Sequence, residues 1–195
     1  MKNTPVTKDH TISNHSNYTK VMALVQTGMF TAIICVLSQI SIPTQPIPFT
    51  LALFAIFLTG TLLPPRYAFL SALCYLLLGA FGLPVYAGFQ GGLHILTGLT
   101  GGYLAAYPIM AFVTALFTYN RKKAKLLLTA IGMLISLLLC YLIGTLWFAY
   151  VSGSNFYYAL TLCVFPFVLF DLFKIVLAIA ISTIIRKIII TSITN

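Results

Sequence analysis

From Leu126 to Val151 the chain reads LLLTAIGMLISLLLCYLIGTLWFAYV, without one charged residue. A helix rises about 1.5 Å per residue, so this stretch alone reaches across the roughly 30 Å hydrocarbon core of a bilayer. A helix at the surface of a soluble domain needs a polar face, and this one has no charge with which to make it. The whole chain agrees: of its 195 residues 60% are hydrophobic and 7% charged, against roughly a quarter charged in soluble domains. A soluble fold is excluded. So is a disordered chain, which requires low hydrophobicity and high charge.

Working outward from that stretch, apolar runs of membrane-crossing character occur at Val21 to Ile42, Ile47 to Leu63, Tyr67 to Leu83, Leu99 to Tyr119 and Tyr157 to Ile185. The expected fold is therefore an all-α membrane protein, a bundle of six transmembrane helices over residues 21–187, with a polar tail at 1–20 and a short one at 188–195. The second and third runs are short and bounded by Pro43, Pro46, Pro48, Pro64, Pro65 and Pro84, which interrupt helices. Short helices of this kind border irregular backbone.

The net charge of +9 invites a nucleic-acid partner, but the basic residues punctuate the apolar runs instead. Lys2, Lys8 and Lys20 precede the first run, Arg66 separates the second and third, Arg121, Lys122, Lys123 and Lys125 separate the fourth and fifth, and Arg186 and Lys187 follow the last. Ten of the eleven cations fall on one side if both termini are cytoplasmic, the distribution that the positive-inside rule requires. The charge thus serves topology and the lipid bilayer, and no nucleic-acid partner is expected. No cleaved signal peptide is evident at the polar N-terminus, so the first run doubles as the targeting signal. Cys35, Cys74, Cys140 and Cys163 lie inside apolar runs without metal or redox spacing and read as small hydrophobes.

The eleventh cation is different. Asp171 and Lys174 are the two charged residues inside an expected span, and each costs about 2.5 to 3.5 kcal/mol at a helix centre on insertion scales. Three residues apart, they share one helix face with Phe167 and Ala178. Lys174 lies about 18 Å of helix before Arg186, in the outer half of the membrane. Either the two neutralise each other against another helix, or they offer an acceptor and a donor to a ligand with adjacent N–H and C=O groups, such as a urea or amide.

A second constellation is GLPVYAGFQGGLHILTGLTGGY, Gly82 to Tyr103, which holds seven of the 13 glycines. Irregular backbone at membrane depth is tolerated where it lines a cavity or is buried in protein, so the segment reads as a pocket wall or as tight helix packing. In the first reading Gly91 and Gly92 admit close approach, Tyr86, Phe89 and Tyr103 supply aromatic faces, and Gln90 a hydrogen-bonding head. His94 is lone and reads as structural. On the first run Gly28 and Ala32 form a small-x-x-x-small pair, suited equally to internal packing and to a partner helix. There is no nucleotide-binding glycine loop, no zinc-protease motif and no Ser, His and acid set outside the tail, so an enzyme is not expected and no cofactor or metal site is predicted in this chain.

Four segments then call for comparison as a set. IPTQPIPFTL from Ile42 to Leu51, LLLGAFGLPVYAG from Leu76 to Gly88, LTGLTGGYL from Leu96 to Leu104 and PFVLFDLFK from Pro166 to Lys174 resemble, in order, the motifs of the BioY family, the biotin-binding S-components of energy-coupling factor transporters. Leu99, Phe170 and Ala52 depart from that pattern. The resemblance implies biotin as ligand, bound near the outer side with Asp171 and Lys174 at its fused-ring head and aromatic residues around it. It also implies a bacterial cell membrane, and as partners a transmembrane coupling protein with two cytoplasmic ATPases that use the ATP. Two other classes remain: a self-sufficient proton-coupled transporter with Asp171 as proton carrier, and a membrane-embedded enzyme using the pair as acid and base, for which no nucleophile or metal cluster is present.

Overall fold

The computed structural model describes the backbone of residues 8–119 and 126–194 and the side chains of 21–119 and 126–188. Lys2 and the cluster from Arg121 to Lys125 lie outside the described residues. Helix α1 runs Lys8–Gln39, so helical backbone extends through most of the segment expected as an N-terminal tail. A two-residue strand β1 (Ser41–Ile42) pairs antiparallel with β2 (Phe49–Thr50), Ser41 opposite Thr50 and Ile42 opposite Phe49. Then follow α2 (Ala52–Leu62), α3 (Pro65–Ala80), the short α4 (Leu93–Thr97), α5 (Gly101–Thr118), α6 (Leu126–Ser152), α7 (Phe156–Cys163) and α8 (Phe165–Thr194).

Among the described residues, four helices are long and apolar enough to cross a membrane: Val21–Gln39, Gly101–Thr118, Leu126–Ser152 and Phe165–Ile188. The second and third expected spans are shorter helices, α2 and α3. Sequence reading starts the second span at Ile47, whereas the helix begins at Ala52. Pro46 and Pro48 explain the difference: each fixes φ and lacks an N–H, which keeps the chain non-helical while it bends over 45–47 and pairs back as β2, up to Thr50, whose hydroxyl accepts from Ala52 N at 3.2 Å. The expected span from Tyr157 to Ile185 is likewise two helices, α7 and α8, separated at Val164 just before Pro166. The first turn of a helix is where proline is tolerated, so Pro166 starts α8 rather than continuing α7.

Every residue of α2 from Ala52 to Thr61 is buried, which accounts for a helix apolar on all sides. It lies among α1, α3, α5 and α8, while α5 packs most extensively on α6 and also on α2 and α3. Buried hydroxyls join these helices: Thr31 and Ser71 link α1 to α3 at 3.2 Å, Thr114 and Ser136 link α5 to α6 at 2.8 Å, and Tyr103 and Thr145 make a second such link at 3.1 Å. At one end of the bundle the Arg186 guanidinium donates to the carbonyls of Thr61, closing α2, and of Thr118, closing α5 at 3.3 Å. A residue read as a topology signal thus also satisfies helix-end carbonyls. At the other end the 41–50 hairpin and the 81–100 segment cover the start of α2 and the end of α3.

Candidate functional site

The break before Pro166 starts α8 so that Asp171 and Lys174 face inward on its second and third turns. Each is only 4% exposed. Lys174 Nζ donates to Asp171 Oδ1 at 2.8 Å, and the Tyr141 hydroxyl on α6 donates to Asp171 Oδ2 at 2.5 Å, so both carboxylate oxygens are occupied. Lys174 Nζ also sits 3.9 Å from the centre of the Phe49 ring, a cation on an aromatic face. Phe49 stacks parallel to Phe167 with centroids 6.3 Å apart and meets Phe170 edge-on at 5.3 Å. The β1–β2 hairpin therefore delivers an aromatic cover to the charged pair.

The pair lines a small cavity of about 50 Å³ together with Tyr103, Tyr107, Tyr141 and Phe167. Beside it is a larger cavity of about 350 Å³ between the hairpin and the glycine-rich segment. Ile47, Pro48, Thr50, Tyr103 and Tyr107 line both, and form the wall between them. The larger space lies within the range of small-molecule sites, roughly 300 to 1000 Å³, and combines aromatic faces with hydroxyl and amide groups. A third cavity, about 490 Å³ against Trp147 on α6, is almost wholly apolar, and the Trp147 N–H is already given to Gly98 O at 2.9 Å.

The structure brings together most of the residues singled out in the sequence. Asp171, Lys174, Phe167 and Tyr103 share the small cavity, and Tyr103, Tyr86 and Gln90 line the large one. Tyr86, 2% exposed, is fixed by donating to Leu76 O at 2.6 Å. Phe89, Gly91 and Gly92 are placed otherwise. Phe89 is 71% exposed at the tip of a tight turn closed by the Tyr86 and Gln90 backbones, and lines neither cavity. A Cβ at Gly91 would meet Leu83 O at 2.2 Å, and Gly92 adopts φ 106° while its N–H donates to Gly79 O at 2.6 Å; both shape the segment without facing the cavity. Gly28 and Ala32 lie on the exposed side of α1, and a Cβ on Gly28 would meet nothing within 4 Å.

Tyr141, Phe49, Thr50, Tyr75 and Tyr107 escaped sequence reading. A signal existed for two of them: a tyrosine inside a membrane span needs a partner for its hydroxyl, and Tyr107 stands four residues after Tyr103 on one helix face. Ser38 and Gln39 were likewise missed. Ser38 donates to Val85 O, and Gln39 Oε1 accepts from Phe89 N at 2.9 Å, which ties the glycine-rich segment to the end of α1.

A model of the BioY family matches residues 8–191. The chain is 41% identical over 155 residues to a probable biotin transporter BioY of Pyrococcus horikoshii, covering 80% of this chain and 90% of that protein. It is 40% identical over 169 residues to the biotin transporter BioY of Thermotoga maritima, covering 84% and 95%. Among solved structures, the S-component for biotin from an ECF-type ABC transporter superposes with a TM-score of 0.78 at 28% identity, covering 88% of this chain and 94% of that one.

Proposed function

This chain belongs to the BioY family, and from that premise we propose that it is a membrane-embedded biotin-binding S-component, which captures biotin from the outer side of a bacterial cell membrane for import. Its relatives are transporters, and the chain is not an enzyme. The observation that carries the reading is the buried Asp171–Lys174 pair next to a cavity of about 350 Å³. A urea ring presents N–H groups that a carboxylate accepts and a carbonyl to which an ammonium donates, so one acid and one base side by side match it in polarity. The small cavity has room for about one or two waters. Biotin therefore lies mainly in the large cavity, with its fused-ring head passing between Thr50, Tyr103 and Tyr107, which line both cavities, to meet the pair directly.

Energy comes from partners, since the sequence has no nucleotide-binding motif: a transmembrane coupling protein and two ATPases. The exposed Gly28 and Ala32 on α1 supply a face on which a partner helix can approach closely. In this reading α2 and α3 complete six membrane segments with both termini cytoplasmic, residues 21–187 form the binding domain, and 1–20 and 188–195 extend from it.

Reconstitution in proteoliposomes tests the assignment. The chain alone accumulates no biotin under an imposed proton gradient, and does so with the coupling protein, both ATPases and ATP present. Accumulation by the chain alone, driven by protons, would instead make Asp171 the carrier in a self-sufficient transporter.

A further inference from the structure

The apolar cavity of about 490 Å³ takes no part in the site described above. It lies at the same end of the bundle, around another side of the first turns of α5: Gly101, Gly102 and Ala105 line it, whereas Thr100, Tyr103 and Leu104 line the large cavity. Its walls are Leu76 of α3 and Leu96 of α4 on one side, and Ile143, Leu146, Trp147 and Tyr150 of α6 on the other. No charged residue is among them. The Trp147 N–H is already given to Gly98 O, so the indole presents only its ring, and the Tyr150 hydroxyl is the one polar side-chain group left. A polar ligand would lose its hydration here without compensation, whereas a hydrocarbon would not.

The position of the cavity says which hydrocarbon. α5 and α6 are both long and apolar enough to cross a membrane. The 18 residues of α5 span about 27 Å, close to the roughly 30 Å hydrocarbon core, so Gly101 to Ala105 mark one edge of that core. Ala105 is exposed, and the same face of α5 continues with exposed Ile109 and Leu116. On α6 exposed Leu142 and Leu138 follow Leu146 in the same direction. The cavity is thus continuous with an apolar strip that runs toward the middle of the membrane. Its other end is of interfacial type: Tyr150 is 82% exposed and is followed by Ser152, Ser154 and Asn155. Chain below and interface above is the order of a phospholipid.

A partner helix is the competing occupant. Close helix docking needs small residues left open on the surface. Here a Cβ on Gly102 would collide with the Trp147 side chain and one on Gly101 with the Leu96 carbonyl, so both glycines are used in packing α5 against α6 and α4. What remains is a cleft between side chains.

We propose that this cleft is a lipid site, which seats one acyl chain of a phospholipid from the surrounding leaflet. The chain runs from Tyr150 past Trp147 and Ala105 toward Ile109, with its ester region level with Tyr150. The site is separate from the cavity assigned to biotin and does not depend on that assignment.

Trp147 is the one tryptophan in the chain, so its fluorescence reports occupancy of the cleft. The full chain, purified in dodecyl maltoside, is titrated with phosphatidylcholine brominated on its acyl chains, with the unbrominated lipid as reference. Emission falls at least twofold and the quenching saturates at one lipid per chain, while detergent still makes up most of the micelle. Quenching that only rises in proportion to the bromolipid fraction, as at any lipid-facing residue, overturns the proposal. Ala105→Phe fills the cleft from its open side: the saturable quenching disappears, and unbrominated lipid no longer raises the melting temperature as it does for the parent chain. Ala105→Leu, with less added bulk, replaces it if the phenylalanine variant melts below the parent in lipid-free detergent. Undiminished saturable quenching in a variant that melts like the parent also overturns the proposal.

Discussion

At Asp171 and Lys174 the cost of membrane burial is offset by geometry: each carboxylate oxygen has a donor, and the ammonium rests on the Phe49 ring. If biotin completes this arrangement, Asp171→Asn and Lys174→Met each weaken its binding by at least about 1.5 kcal/mol, tenfold or more, through loss of a charge-assisted hydrogen bond. Removing one partner also strands a buried charge, which is strongly destabilising, so the double variant is the control. Near-normal affinity in a well-folded double variant, measured calorimetrically, would make the pair structural. Tyr141→Phe leaves both charges and takes away only the donor to Asp171 Oδ2; its expected effect is about 1 kcal/mol, roughly fivefold in affinity. The pair was legible because two charges in an apolar helix contradict their surroundings. Tyr141 and Phe49 were not, since a tyrosine or phenylalanine fits an apolar run, and their roles exist only through contacts made across the fold.

Among the elements, the glycine-rich segment owes its shape to α3 as much as to its own composition. A Cβ on Gly79 would come within 2.1 Å of the Tyr86 ring, so this helix glycine seats the tyrosine that lines the large cavity. Gly79→Ala therefore overpacks that contact, with an expected cost of about 1 to 3 kcal/mol in stability and a parallel loss of biotin affinity, read by thermal denaturation and calorimetry. The sequence shows where the glycines cluster but not which of them meets a side chain, because that depends on how the loop folds back. Gly28 provides the contrast. Replacing Gly28 and Ala32 together with leucine adds bulk on the exposed side of α1, and is expected to leave biotin binding and thermal stability unchanged while abolishing co-purification with the coupling protein and ATP-dependent uptake. A joint fall in stability and binding would place the strip in internal packing and contradict a partner surface.

For the whole molecule, the apolar runs and their prolines made the order of helices and the place of the irregular segments readable. The lengths were less so: α2 is short because Pro46 and Pro48 keep the preceding chain out of the helix, in the bend and second strand of the hairpin, and the last run divides at Val164 because Pro166 lies in the first turn of a new helix. Orientation rests on ten cations distributed to one side. On a background without native cysteines, a cysteine at Ser154 is expected to label from outside and one at Lys123 only after permeabilisation; the reverse would invert the bundle and turn the pocket toward the cytoplasm. On the proposed function the chain binds biotin by itself and needs partners only to move it. Titrating biotin into the purified chain in nanodiscs, with no coupling protein, ATPase or nucleotide present, tests that claim most directly. Saturable binding of one biotin per chain is the predicted result, and a folded chain that shows no saturable binding would contradict it.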